Sequence, residues 1–141
     1  MILHCTFEEL SALSAAAERV LSGSGEAGIA VAAPPEVVAD LEALCPRLVG
    51  DISVRTLAEQ RSMLRAVDYV LTDLHARMDA AILEGNPAAE EAITAYFEYA
   101  NVLLVEERLR RIGAQMSALI ELMTGQAPTD ESARSINFSD E

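Results

Sequence analysis

The sequence predicts a mainly α fold: a long antiparallel helical hairpin, about 53–84 and 87–124, completing a helical bundle with a small N-terminal α or α/β part. Three observations carry that expectation. Leu57, Leu64, Leu71 and Met78 fall seven residues apart, and Val67, Leu74 and Ala81 follow members of that series by three. Such a stripe marks one buried helix face, and Met63, Val70 and Ile82 widen it toward a bundle. Further on, Val102, Val105, Leu109, Ile112, Met116, Leu119 and Met123 form a second seam at alternating spacings of three and four. Between them lies Gly85-Asn86-Pro87, with glycine suited to a helix C-cap and proline to the next first turn. Two helices joined so briefly must fold back on each other, each roughly 45–55 Å long at 1.5 Å per residue.

The elements before the hairpin are shorter. Thr6-Phe7-Glu8-Glu9 reads as a capping box, in which the threonine oxygen accepts from the third amide while the glutamate reaches back. Behind it Phe7, Leu10, Leu13, Ala17, Val20 and Leu21 recur at helical spacing as far as the Ser22–Gly25 breaker. Short strands near 2–5 and 28–33 fit the pattern, paired through a right-handed crossover, and so does extended loop packed on helices. Pro34-Pro35 opens a helix carrying Val37, Val38, Leu41 and Leu44, and Pro46 ends it. Residues 1–125 read as one helical domain and 126–141 as an acidic tail, in which Ile136 and Phe138 alternate with polar residues like a strand or docking peptide.

The second long helix carries a conflict. Ile93, Phe97, Ala100 and Leu104 point nearly opposite to the later seam, so the stretch Tyr96–Val105 is apolar almost all round. A helix hydrophobic on all sides needs cover on all sides. One hairpin partner cannot supply it, so either the N-terminal elements or a second copy must. A homodimer is the simpler expectation, with Phe97, Ala100, Leu103, Leu104, Ile136 and Phe138 as interface candidates.

Composition narrows the function classes. Of 141 residues, 51% are hydrophobic, enough for a real core. Acidic residues number 23 against 10 basic ones, for a net charge of −13, and every basic residue is arginine. That balance argues against nucleic-acid partners and against anionic membrane surfaces. Apolar runs fall short of the ~18 residues of a membrane span. The acidic N-terminus is unlike a signal peptide, and Cys5 and Cys45 match no metal spacing. A cytoplasmic protein with reduced thiols is the expectation.

Templates for catalysis are missing: no nucleophile elbow, no phosphate loop with its lysine, no Glu-x-x-His pair for a di-iron bundle. One constellation remains. His75 lies at the edge of the first stripe, in line with Asp68 and Asp79. If the turn centres near Asn86, residues whose numbers total about 172 lie opposite each other in the antiparallel pair, which puts His75 against Phe97 and Glu98. His75, Asp79 and Glu98 could ligate a divalent metal, transfer a proton, or fix helix register as a buried polar set. The same rule pairs Arg65 with Glu106 and Glu107, and Glu107 precedes Arg111 by a favourable four residues.

The expected function is therefore non-enzymatic: protein–protein interaction or assembly by an acidic helical homo-oligomer, a dimer in its simplest form, with a protein partner and no cofactor. The alternative is a helical protein binding a metal or small molecule around His75 and Glu98, with enzymatic activity as one form of it.

Overall fold

The computed structural model describes residues 1–23, 33–83 and 90–138. Among these residues the chain forms β1 (Ile2–Leu3), α1 (Phe7–Ser22), α2 (Pro35–Leu44), a 3₁₀ turn (Cys45–Arg47), β2 (Ile52–Ser53), α3 (Leu57–Leu83), α4 (Glu90–Thr124) and α5 (Asp130–Ser135). The long pair α3 and α4 packs face to face, as its stripes require. The Gly85-Asn86-Pro87 turn and residues 28–32 of the second expected strand lie outside the described residues.

Local signals set the helix starts. The Thr6 hydroxyl accepts from the Glu9 amide at 3.2 Å, and the Glu9 carboxylate accepts from the Thr6 amide at 2.8 Å. Thr56 caps α3 in the same way, accepting from the Glu59 amide at 3.1 Å. That cap starts the helix at Leu57 rather than 53 and leaves Ile52 and Ser53 free to be strand. Pro35 is the first residue of α2. Gly23 ends α1 at a φ of 66°, a left-handed conformation that glycine adopts without a Cβ penalty. Phe7 departs from the expected apolar face of α1 and is 80% exposed. At the first helical position its side chain precedes the turn that Leu10 and Leu13 bury.

Among the described residues the N-terminal strand has a partner that the sequence did not suggest. Ile2 and Leu3 run antiparallel to Ser53 and Ile52, and Val54 donates its amide to the Met1 carbonyl at 2.8 Å. Leu3, Ile52 and Val54 bury their side chains. This short ribbon closes the end of the bundle beside the start of α3. The tail joins it: Phe138 donates its amide to the Arg55 carbonyl at 2.7 Å, and Thr129 caps α5, which packs on α3.

One core holds these elements together. Leu10, Leu13 and Ala17 of α1, Leu41 of α2, Val67, Val70 and Leu74 of α3, and Val102, Val105, Leu109 and Met116 of α4 share it. The α4 seam ends sooner than its spacing suggests. Ile120 is buried, whereas Leu119 and Met123 are exposed. The hairpin register puts Leu57, the first residue of α3, opposite about residue 115, so beyond that point α3 no longer covers the seam.

Gln60 fixes the height of the α3–α4 pair. Its buried side-chain amide donates to the Leu109 carbonyl at 2.9 Å. A Cβ on Gly113 would stand 2.4 Å from the Gln60 Nε2, so glycine at 113 gives the amide its place.

Candidate interaction surface

Two partners within the chain grip α4. On one side α3 buries Val102, Val105 and Leu109; on another α1 packs antiparallel to it. The α1 contact is registered by two ion pairs. Arg19 embraces the Glu98 carboxylate with both terminal nitrogens. Ten residues away on both helices, Arg108 donates to Glu9 at 2.6 Å and to the His4 carbonyl at 3.1 Å. The Glu9 carboxyl is 2% exposed. Burial pushes its pKa up, but hydrogen bonds from Arg108 and Thr6 outweigh that and hold it below the ordinary value. The same bond raises the Arg108 pKa.

This grip leaves the third side of α4 bare. Ile93 is 56% exposed, Phe97 59%, Leu103 41% and Leu104 45%, with Tyr96 and Ala100 exposed between them. The series Ile93, Phe97, Ala100, Leu104 advances by four, three and four residues, so it forms one stripe over three turns. Acid bounds it at one end, in Glu90, and the exposed Glu107–Arg111 pair bounds it at the other, joined at 2.6 Å.

The conflict read from the sequence is thus half answered. The N-terminal region does fold onto α4, but onto the flank bearing Glu98 and Arg108. The stripe holding Phe97, Ala100, Leu103 and Leu104 stays exposed. The other two interface candidates are used within the chain: Ile136 and Phe138 are half-buried against its own core. An extended tail with two alternating apolar residues fits a groove at the start of α3 as readily as a partner's.

The His75 constellation does not assemble as expected. His75 and Asp79 pair on the exposed surface, Nδ1 to Oδ2 at 3.3 Å. Glu98 turns instead to Arg19. The hairpin register is close to the expected one, but α4 is rotated so that Tyr99 meets the imidazole, ring centres 6.1 Å apart. Among the described residues no group of three or more His, Cys, Asp or Glu side chains is gathered to hold a metal ion. Arg65 likewise binds Asp40 of α2 at 2.6 Å rather than Glu106 or Glu107, because α2 packs on α3 at that level. Glu106 pairs with Arg110, which also reaches Asp68 at 3.1 Å. Burial, followed by the nearby Glu106, raises the Asp68 pKa despite Arg110.

The α1–α4 pairs escaped the sequence reading, although a signal was present. Glu9 and Arg19 stand ten apart on one helix, and Glu98 and Arg108 stand ten apart, in the same order, on another. That is the spacing two antiparallel helices need to exchange charges.

The sequence matches no protein-family model and no curated protein, and the fold matches no solved structure. Among the described residues no helix is long and apolar enough to cross a membrane.

Proposed function

We propose that this chain is a non-enzymatic interaction protein, an acidic helical homo-oligomer that is a dimer in its simplest form, with the bare face of α4 as its contact surface. The carrying observation is the continuous stripe from Ile93 to Leu104, exposed although α1 and α3 pack on the two other sides of the helix. Scattered apolar side chains are ordinary on a surface; a contiguous stripe centred on an aromatic residue and rimmed by charge is what an association site looks like. The net charge of −13 supports the reading from the other side, since it keeps such a face from associating indiscriminately. The oligomer serves a further protein partner rather than nucleic acid or membrane. It works in the cytoplasm, where Cys5 and Cys45 remain thiols.

Light scattering on the eluting protein tests this. The wild-type chain elutes at twice its own mass. Phe97→Glu and Leu104→Glu, each changing an exposed side chain outside the shared core, elute at the mass of one chain with unchanged circular dichroism. Wild-type protein at single-chain mass, or variants that stay dimeric, would overturn the proposal.

A further inference from the structure

We propose that residues 126–138 are a releasable strap over a peptide groove at the start of α3. The groove's other occupant is an extended segment of a different protein, carrying two large apolar side chains one residue apart as Ile136 and Phe138 do. This site is separate from the α4 stripe and does not depend on it.

The strap is fastened lightly. Among the described residues a single hydrogen bond joins 127–138 to the rest of the fold, from the Phe138 amide to the Arg55 carbonyl at 2.7 Å. The capping bonds of α5 are internal, exchanged between Thr129 and Ser132, so the start of this helix takes nothing from the body. Its apolar hold consists of Ala133, which is buried, and of Ile136 and Phe138, which are half-buried. Between α5 and the end of α4 lies a cavity of about 380 Å³, bounded by Thr124 and Gln126 on one side and by Thr129, Ser132 and Ser135 on the other. These are polar residues, so lifting the strap exposes little apolar surface there. Gly125 turns the chain out of α4 at a φ of 72°, and no atom stands within 4 Å of the place a Cβ would take. The turn that carries the strap is therefore not packed against the body. A unit held by so few buried contacts opens well before the whole fold does.

Beneath the strap the body is arranged to receive an extended chain. Val54 is bonded to Met1 in both directions, at 2.8 and 2.9 Å. The Arg55 carbonyl continues that bonding by one residue, just before Thr56 caps α3, and it is this carbonyl that Phe138 takes. A backbone handle beside room for alternate apolar side chains is how a groove recognises an extended segment while leaving most of its sequence free. The seated tail displays the chemistry that fits: isoleucine, a polar residue, phenylalanine.

The energetics favour a foreign segment over the tail of a second copy. Exchanging tails between copies replaces each contact with an identical one and adds the cost of association. A segment that is unseated in its own protein gains the groove's contacts outright. Tethering gives the strap an effective concentration of about a millimolar, so it excludes weak segments and yields to strong ones.

A fluorescent peptide spanning residues 129–138 is the probe, titrated into the full chain and into full-length Phe138→Ala, with anisotropy as the readout. The variant's strap has lost its anchor, so the peptide is expected to bind it at least about tenfold tighter than the wild type. The peptide should also raise the variant's melting temperature toward the wild-type value. A peptide carrying Ile136→Ser and Phe138→Ser is expected to bind neither chain. Equal affinity for both chains, or no binding to the variant, would overturn the groove. Phe138→Ala is expected to sediment as the wild type does; a fall in mass would place the tail of a second copy in the groove instead. Should the variant not fold, hydrogen exchange of the wild-type chain decides. The Ala133, Ile136 and Phe138 amides are expected to exchange together, at least about tenfold faster than those of Val105 and Leu109 in the core. Exchange at the core's rate would overturn the strap.

Discussion

Arg108 of α4 donates to the buried carboxylate of Glu9 at 2.6 Å, and the same carboxylate closes the N-terminal capping box of α1. One side chain thus starts a helix and fastens it to the longest element of the fold. Removing its charge acts at both places.

Glu9→Gln should therefore cost about 1–3 kcal/mol, more than a surface pair and less than a wholly enclosed one, because Arg108 stays partly in water. Its carboxyl is held below the ordinary value of 4.5, so its stabilisation is complete above that value. It is lost as pH falls through the depressed folded value. Urea midpoints measured between about pH 6 and pH 3 should drop for the wild type and drop less for Glu9→Gln. Equal slopes would show that Glu9 carries no such linkage.

Gly113 offers a test by change of sign. In the wild-type background Gly113→Ala drives its Cβ into the Gln60 amide. That amide must abandon the Leu109 carbonyl in a buried place, at a cost of about 1–3 kcal/mol against a helix-propensity gain of about 1. The net effect should be destabilising. In a Gln60→Ala background the obstacle is gone, and Gly113→Ala should become neutral or stabilising. Thermal unfolding of the four chains would expose additive effects, which this geometry does not permit.

Cys5 should behave as a structural thiol. Burial, followed by Glu9, pushes its pKa up to about 11, so thiolate is on the order of a thousandth of the thiol at pH 8. Alkylation of the folded chain should run at least tenfold slower at this residue than in the urea-unfolded chain, read by mass spectrometry of the labelled peptide. Comparable rates would mean that the thiol is open to solvent.

The tail is expected to stabilise the fold. Phe138 rests half-buried on the core and its amide binds Arg55. Phe138→Ala should cost about 1–2 kcal/mol, below a full core truncation because the ring is only partly enclosed. An unchanged melting temperature would return residues 136–138 to the role of a free peptide.

Where the determinants were local, the sequence revealed them. Thr6 and Glu9, Pro35, Gly23, and the two apolar series of the hairpin each encode their element within a few residues. The hairpin register followed from chain geometry, which is why Gln60 meets Leu109 and His75 meets α4 near the expected height. Rotation about a helix axis is another matter. A shift of one residue exchanges Glu98 for Tyr99 opposite His75, and α1 decided that rotation by drawing Glu98 to Arg19. The pairing of Ile2–Leu3 with Ile52–Ser53 was similarly out of reach. Two-residue strands carry almost no periodic signal, and their partner is chosen by the packing of everything between them. The exposure of Phe97, Ala100, Leu103 and Leu104 was foreshadowed in the sequence, because too many sides of one helix are apolar for the chain's own elements to cover. Ile136 and Phe138 were misleading because alternation in a tail looks alike whether its groove is internal or on another molecule.

Sedimentation equilibrium of the unmodified chain, over a wide concentration range at physiological ionic strength, tests the central claim most directly. The bare α4 stripe predicts a reversible monomer–dimer equilibrium reaching twice the chain mass, abolished by Phe97→Glu without loss of helix. A single-chain mass at every concentration would contradict it.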